Sequence, residues 1–552
     1  MGLASFDYLF NNYYVREVYE EIFTLICSIE QDYAVCDGAV HNMTDVIVPQ
    51  LVELLTSPSY GCSRLLGFCD TPVWKTLDPQ DYIDNILADK PDFLKDNDYI
   101  NKEYEKINED TEERKTVKVM HITDIHLDFD YKEGTNANCN EPLCCRPING
   151  PAPTPADAAG KYGSALCDLP PITAELMFKY IRDMDATPDL VFWTGDNIAH
   201  DIWNQTAYKN ADYTIQITNW IKKHWGEIPV FPAPGNHEFY PVNVMRFDGV
   251  HPILDQISDV WEDWLDEDSY ESFRNYGYYT MPMRGINESW NGFRVIALNT
   301  EACNNMNWYL LSQLNDPGDQ LVWLEEQLLL AEQNGEKIYM ISHVQPGGSD
   351  CLYEWSIRYR ALVERFQHVI LQHLVGHSHK EFFNVFTDST NSSAINMMHG
   401  PGGVTTYTHD NPSFRIYDID YETGYPVKAY KYYFNITQAN EGNPEWAFAF
   451  EMTEEYNMTD LSPKSFKDLS ERFLTEEGRA KQYVRNKYGQ SEYSKSQDCN
   501  TDECKRKVYC ETTNIIHFEE KDCKGLKRFD FMHDLTDSLF ESLLDPWVTK
   551  QE

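Results

Sequence analysis

Six short β-rich runs between residues 116 and 380 constrain the fold of this chain more than any other feature of its sequence. Each run ends in polar residues, and helical stretches such as ITAELMFKYIRDM and DQLVWLEEQLLLAEQ separate several of them. Strands that alternate with helices predict a layered α/β domain. Ligands of open α/β sheets bind beyond the carboxyl ends of the strands, so the polar clusters form the candidate site. The runs are VKVMHITDIH, LVFWTGDNIAHD, VFPAPGNHE, RVIALNT, KIYMISHVQPG and VILQHLVGHSH.

Five of these strand-end clusters offer hard or borderline metal ligands. Carboxylate, imidazole and amide oxygen suit zinc, manganese or iron. In an Asp-x-His unit alternate side chains face the same way, so both can reach one ion. Each cluster alone is more often a turn, a cap or a surface pair, but all five in one α/β segment predict a metal centre. The clusters are Asp124-x-His126, Gly195-Asp196, Gly235-Asn236-His237-Glu238, His343 and Gly376-His377-Ser378-His379.

Composition excludes several classes of protein. The chain has 552 residues, and 46 basic against 89 acidic residues give a formal charge of −43. So acidic a chain has no electrostatic basis for binding nucleic acid, whose phosphates require clustered Lys and Arg. No apolar run reaches the roughly 18 residues of a membrane span. The first residues, MGLASFDYLFNNYY, lack the basic and apolar regions of a signal peptide.

Fourteen cysteines, most of them closely spaced, indicate disulfides and an oxidising compartment. Zinc–cysteine sites are the weaker alternative, because no paired CxxC sets occur. Six N-glycosylation sequons favour the same secretory route, and the absent signal peptide then suggests a trimmed or incomplete N-terminus. The sequons begin at Asn42, Asn204, Asn287, Asn391, Asn435 and Asn457.

The order of these motifs resembles the calcineurin-like metallophosphoesterase superfamily, whose signature is D-x-H, G-D, G-N-H, a separate His and G-H-x-H. The resemblance implies a layered β-sandwich flanked by helices and two metals, zinc by family preference. It also implies in-line attack on a phosphodiester by a hydroxide between the two metals. Carried over by position, Asp196 bridges the two metals. The first metal would also be held by Asp124, His126 and His379, and the second by Asn236, His343 and His377.

Two further histidines lie beside these ligands. An alkoxide leaving group needs a proton donor, and the family usually assigns that role to the histidine of the GNH motif, here His237. His200, four residues after Asp196, is either a second donor or a group that only orients a ligand. No GxSxG elbow, GxxxxGK[ST] loop or HExxH helix offers a competing chemistry.

The flanking residues are similar to the acid sphingomyelinase branch of that superfamily, through TDIHLDFDYKEGTNANCNEPLCCR, FPAPGNHEFYPVN and GPGGVTTYTHDNPSFRIYDID. This resemblance implies an N-terminal all-α saposin-like domain at 1–72 and a linker at 73–115, where the acidic sequence reads as a linker or a strap. A catalytic domain at 116–450 and a helical C-terminal domain at 451–552 follow. The implied disulfides are Cys27–Cys36, Cys139–Cys144, Cys145–Cys167, Cys303–Cys351, Cys499–Cys504 and Cys510–Cys523.

The saposin-like module departs from its family, because it supplies four cysteines where six are usual. Cys62 and Cys69 then lack their partners and are either free or joined to each other. Small helical domains of this kind depend on their bridges, so either the native N-terminus lies upstream or the module is altered.

The branch implies hydrolysis of sphingomyelin to ceramide and phosphocholine, with Tyr407 near the choline cation or in ordinary packing. The saposin-like domain would engage the membrane of a lysosomal or secreted monomer. One alternative is a related phosphodiesterase acting on nucleotides or other soluble diesters, whose relatives lack the module at 1–72. Another is an inactive lipid-binding protein, which would have lost metal ligands; none is missing here.

Overall fold

Two six-stranded sheets form the centre of the protein in a computed structural model. The structure describes residues 13–29, 31–56, 79–110, 114–185, 187–283, 290, 292–311 and 316–525. Cys62, Cys69 and Asn287 lie outside these residues, so the expectations for them stay predictions.

The first sheet has the order β12-β11-β10-β1-β2-β3 and the second β4-β5-β6-β7-β9-β8. Parallel pairs β1–β2, β2–β3, β5–β6 and β6–β7 bring the carboxyl ends of their strands to common edges. The strands are β1 Thr116–Ile122, β2 Leu190–Trp193, β3 Val230–Pro232, β4 Tyr279–Pro282, β5 Phe293–Ala297, β6 Lys337–Ile341, β7 Ile370–Leu374, β8 Glu381–Thr387, β9 Ala394–Pro401, β10 Ser413–Asp420, β11 Pro426–Phe434 and β12 Trp446–Glu451.

Apolar side chains from both sheets fill the space between them. Every residue of β2 and of β7 is buried, as expected for strands that are covered on both faces. The rings of Phe192 on β2 and Tyr339 on β6 lie 5.5 Å apart between their centroids, so they join the two sheets directly. The layered β-sandwich expected from the sequence is confirmed.

Helices cover the sheets and make up both ends of the described chain. They are α1 Tyr13–Cys27, α2 Tyr33–Thr56, α3 Pro79–Ala88, α4 Tyr99–Glu109, α5 Pro171–Asp183, α6 Ala207–Trp225, α7 Pro252–Trp261, α8 Glu267–Tyr276, α9 Gln320–Asn334, α10 Tyr353–Arg365, α11 Ile436–Asn440, α12 Met452–Tyr456, α13 Pro463–Thr475, α14 Arg479–Lys487, α15 Glu492–Ser496, α16 Asp502–Thr513 and α17 His517–Lys524.

The acidic segment expected at 73–115 as a linker or a strap packs against the sheets where the structure describes it. Ile83 and Ile86 of α3 are buried in one hydrophobic core of the two-sheet region. Ile100 and Tyr104 of α4 are buried in another, larger core, and the Tyr104 hydroxyl donates to the carbonyl of Pro426 at 2.8 Å. The helices α3 and α4 therefore pack into the cores of the two-sheet region.

The N-terminal helices α1 and α2 form a hairpin that the Cys27–Cys36 disulfide closes. One face of α2 packs on the loop after β2, where a Cβ added at Gly38 would lie 2.2 Å from the carbonyl oxygen of Trp203. On the same face the amide of Asn42 donates to the carbonyl of Ile202 at 3.0 Å. The hairpin thus touches the loop that carries His200.

Six disulfides close in the described residues, and they are the six pairings that the family resemblance implied. Five of them join cysteines that are at most 22 residues apart in the chain, and Cys303–Cys351 spans 48 residues. The pairs are Cys27–Cys36, Cys139–Cys144, Cys145–Cys167, Cys303–Cys351, Cys499–Cys504 and Cys510–Cys523.

The asparagines of the described sequons differ in their solvent exposure and in the hydrogen bonds of their side chains. Asn204, Asn391 and Asn457 are exposed, whereas Asn435 is half-buried and accepts from the backbone of Gln438. The side-chain nitrogen of Asn42, to which a glycan would be attached, instead donates a hydrogen bond to the carbonyl of Ile202. Exposure therefore favours glycosylation at the first three.

Buried His373 on β7 makes the stability of the fold depend on pH. Burial lowers the pKa of His373 to about 3, below the value of about 6.5 in an unfolded chain. The unfolded state alone binds this proton below pH 6.5, so stability falls as pH drops from there toward 3. Between pH 7 and pH 5 we expect His373→Gln to lose about 2 kcal/mol less unfolding free energy than the parent. Urea denaturation at both pH values measures this, and identical losses would contradict it.

Candidate metal centre

The strand-end loops converge at one edge of the two sheets, as the sequence predicted. Asp124 and His126 follow β1, Asp196 follows β2 and Asn236 follows β3 in the first sheet. The remaining three follow strands of the second sheet. The seven side chains thus come together from loops that are up to 255 residues apart in the chain: Asp124, His126, Asp196, Asn236, His343, His377 and His379.

Five of the seven residues have a positive φ, between 39° for His126 and 73° for His377. Such backbone is costly for residues other than glycine and persists where the surrounding structure enforces it, often at functional sites. Close approach also requires Gly235, because a Cβ there would lie 2.1 Å from Oδ1 of Asp196. The glycines in the sequence clusters are thus explained by contact between loops.

Two groups of ligand atoms share the carboxylate of Asp196. In the first, Asp124, His126, Asp196 and His379 each place one ligand atom within 4.8 Å of the others. In the second, Nε2 of His343 lies 3.0 Å from Oδ2 of Asp196, and His377 completes the group. Asn236 adjoins the second group, since its Oδ1 is 2.9 Å from Nδ1 of His377.

Backbone carbonyls fix the direction of three imidazoles. Nδ1 of His126 donates to the carbonyl of Ile198 at 2.8 Å, and Nδ1 of His343 donates to that of Thr194 at 2.6 Å. His379 does the same with Tyr407 at 2.6 Å. A histidine whose Nδ1 donates to a carbonyl presents Nε2 as a lone-pair ligand, as is usual for metal-bound histidines.

The electrostatics of the cluster also suit cations. Burial opposes protonation of His343, but the carboxylates of Asp196 and Asp124 together with the Thr194 carbonyl outweigh burial and raise the pKa of His343 to about 10. Burial also opposes protonation of His126, but nearby carboxylates, first of all that of Asp196, raise its pKa to about 9. Oδ2 of Asp124 is buried without a hydrogen-bond partner among the described residues. Buried carboxylates that attract positive charge, beside lone-pair nitrogens, fit a pair of divalent cations.

Three carboxylates that the sequence analysis did not assign support the site. Glu238 accepts from the backbone of Asp196 at 2.9 Å and of Gly235 at 2.6 Å, which joins two of the loops. Asp168 accepts from Nδ1 of His200 at 2.8 Å, and Asp350 lies 3.0 Å from Nε2 of His377. Only Glu238 lies in one of the strand-end clusters. Asp168 and Asp350 each adjoin a disulfide cysteine, which is the one signal that their sequence offers.

His200, His237 and Tyr407 line the first group. The ring of His200 stacks on His126 at 3.9 Å between centroids and lies 4.6 Å from the rings of both His237 and Tyr407. His237 donates its backbone N–H to Oδ1 of Asp196 at 2.8 Å, and burial lowers the pKa of its imidazole. The Tyr407 hydroxyl donates to the carbonyl of Pro142 at 3.1 Å. All three candidates are therefore at the site.

Two family models match adjoining parts of the chain. Residues 117–381 match a calcineurin-like phosphoesterase domain, which contains every proposed metal ligand. Residues 381–530 match the C-terminal region of acid sphingomyelin phosphodiesterases. The boundary at 381 assigns β8 to β12, together with the last helices, to the second model.

Curated relatives cover both regions. Sphingomyelin phosphodiesterase A of Dictyostelium discoideum is 31% identical over 94% of this chain and 89% of its own length. The B protein of that organism is 37% identical over 74% of this chain, a match that spans 65% of the relative, just under two thirds. Human sphingomyelin phosphodiesterase is 32% identical over 79% of this chain and 68% of its own length.

Proposed function

The chain belongs to the acid sphingomyelin phosphodiesterases of the calcineurin-like phosphoesterase family, and from that membership we propose that it hydrolyses sphingomyelin to ceramide and phosphocholine. The observation that carries the proposal is the pair of ligand groups that share Asp196. The names of the relatives supply the lipid substrate, and the geometry supplies a site for cleaving a phosphodiester.

Two zinc ions are the proposed cofactors. Asp124, His126 and His379 would hold one, Asn236, His343 and His377 the other, and Asp196 both. When bound, such a pair lowers the pKa of a water nucleophile and offsets the charge of the phosphoryl oxygens during in-line displacement. The chain's contribution is orientation, since carbonyls, Asp350 and Glu238 fix the ligands before substrate arrives.

His200 is the proposed proton donor to the leaving oxygen of ceramide. Its Nδ1 donates to Asp168, which fixes the ring, and Nε2 remains for the leaving group. His237 has no hydrogen-bonded carboxylate of this kind among the described residues, and burial lowers its pKa. We therefore assign His237 to support of Asp196 and to contact with the substrate phosphate.

Tyr407 is the proposed neighbour of the choline cation. Its hydroxyl is tied to Pro142 and its ring borders His200, so the ring is held beside the proposed donor. A quaternary ammonium within about 6 Å of an aromatic face is attracted by the ring quadrupole. The aromatic ring at this position would thus select a cationic headgroup.

The helix α1 is the proposed membrane contact, as part of a saposin-like module. It exposes an apolar surface that includes Val18, Ile22, Phe23 and Ile26, with between 46% and 57% of each side chain accessible. Within the described residues no helix is long and apolar enough to cross a bilayer. An exposed apolar helix face matches a segment that lies in the membrane interface instead.

The double change Ile22→Asp with Ile26→Asp is expected to lower binding to sphingomyelin vesicles at least about tenfold, because two charges would enter the apolar interface. Hydrolysis of a soluble choline phosphodiester should stay within about twofold of the parent. Vesicle co-sedimentation and turnover of both substrates measure the effect. Ile148→Asp is the control, since Ile148 is 83% exposed on the catalytic region. Equal loss in the control would contradict a specific role for α1.

Hydrolysis of sphingomyelin vesicles, compared with a nucleotide phosphodiester, tests the proposed substrate. We expect phosphocholine release from the vesicles and slow turnover of the nucleotide diester, with chelator abolishing both. Preference for the nucleotide diester would favour the soluble-substrate alternative. The six disulfides and the exposed sequons support a lysosomal or secreted enzyme, and we propose that it acts as a monomer.

A further inference from the structure

A chain of buried side-chain hydrogen bonds leads from the second ligand group to Glu301. Asn236 donates its Nδ2 to Oδ1 of Asn243 at 2.7 Å. The same oxygen accepts from Nδ2 of Asn304 at 3.3 Å, and that nitrogen also donates to Oε1 of Glu301 at 2.8 Å. Glu301, Asn304 and Asn236 are at most 3% exposed. The chain of contacts is therefore shielded from solvent.

Each link in this chain fixes which way the next amide points. The carboxyl of Glu301 offers Oε1 as an acceptor, so Asn304 must present its nitrogen there. Oδ1 of Asn304 accepts from the backbone of Met306 at 3.0 Å, which holds the same orientation from the other side. Oδ1 of Asn243 then accepts hydrogen bonds from both Asn304 and Asn236. Asn236 must direct its Nδ2 toward this oxygen, because two facing amide oxygens would repel each other. The oxygen of Asn236 is left to face His377, at 2.9 Å.

We propose that Glu301 is a positioning residue that acts through Asn304 and Asn243 to hold the amide oxygen of Asn236 toward the second metal. This inference rests on the metal pair proposed above. Burial raises the pKa of Glu301 to about 7, and Oε1 stays an acceptor whether or not Oε2 carries the proton. The relay therefore works on both sides of that pH.

The loop that carries Glu301 also connects to the other member of the second group. Cys303, two residues on, is bonded to Cys351, and Asp350 beside it contacts Nε2 of His377. The Cys303–Cys351 disulfide thus links the loop that supports Asn236 to the loop that supports His377. Groups that orient metal ligands in this way commonly change metal affinity 10- to 100-fold when removed.

Zinc titration of the metal-depleted full chain, by competition with a chromophoric chelator, tests the relay. Asn304→Ala and Glu301→Leu are each expected to weaken the second zinc about tenfold or more and to leave the first within about threefold. Glu301→Gln keeps an acceptor oxygen and should restore parental affinity. Circular dichroism shows whether each variant folds. If either Asn304→Ala or Glu301→Leu does not fold, the zinc affinity of the other still tests the relay.

Asn307→Ala is the matched control for packing of the same loop. Asn307 is 2% exposed and donates to the carbonyls of Met245 and Glu301, but it has no side-chain bond to Asn243 or Asn304. We expect this variant to lower thermal stability without weakening the second zinc. Equal weakening in Asn304→Ala and Asn307→Ala, or parental affinity in Glu301→Leu, overturns the inference. Sphingomyelin turnover by the parent protein is measured separately, so loss of the relay and loss of the proposed function are distinguishable.

Discussion

Replacing Asp196 with Asn is expected to lower kcat for sphingomyelin at least about 10³-fold, equal to about 4 kcal/mol of transition-state stabilisation. Asp196 is the one residue common to both ligand groups, and it is the partner that raises the pKa of His343 and of His126. The variant removes negative charge from both groups at once. An amide of the same size keeps the packing, so the loss should be chemical.

Metal content and thermal unfolding accompany that kinetic measurement. We expect Asp196→Asn to bind fewer than two zinc ions per chain and to unfold within a few degrees of the parent. The control is Asp183→Asn, which changes an exposed carboxylate paired with Arg182 at the end of α5. Parental turnover in the Asp196 variant would refute a shared carboxylate.

His200→Ala is expected to lower turnover of sphingomyelin about 10²- to 10⁴-fold, the range typical of a lost general acid. With a nitrophenyl phosphodiester the loss should be less than about tenfold, because nitrophenolate leaves without a proton. Asp168 would hold the ring of His200 in its orientation, since its carboxylate lies 2.8 Å from Nδ1. Asp168→Asn should therefore show the same substrate dependence to a smaller degree.

His237→Ala separates the two histidines in the same assay. If His237 supports Asp196 and the substrate phosphate, its loss should lower turnover of both substrates by similar factors. A large loss on sphingomyelin with little loss on the nitrophenyl substrate would instead assign the donor role to His237. Equal factors on both substrates in His200→Ala would remove the donor role from His200.

The sequence predicted those parts of the protein that depend on local patterns of residues along the chain. The strand-end clusters contain the seven ligand candidates that the family resemblance selected, and they meet because parallel strands end at a common edge whatever the loops between them do. Alternating strands and helices predicted the layered α/β domain, and the family resemblance implied its β-sandwich. The segment at 79–109 was left open between a linker and a strap, since its acidic surface hid a few apolar residues.

The supporting residues could not be predicted, because their roles depend on contacts between distant segments. Asp168 reaches His200 across 32 positions, and Asp350 reaches His377 across 27, with no motif around either. Glu301 acts through two asparagines that no pattern distinguishes from surface residues. The preference between His200 and His237 likewise follows from which ring a buried carboxylate contacts.

Phosphocholine release from sphingomyelin vesicles, followed as zinc is returned to the metal-depleted protein, tests the central claim most directly. The paired groups that share Asp196 predict that activity appears only as the second zinc binds and is complete at two per chain. Full sphingomyelin hydrolysis with one zinc or with none would contradict the paired centre. Two bound zinc ions without phosphocholine release would contradict the proposed substrate.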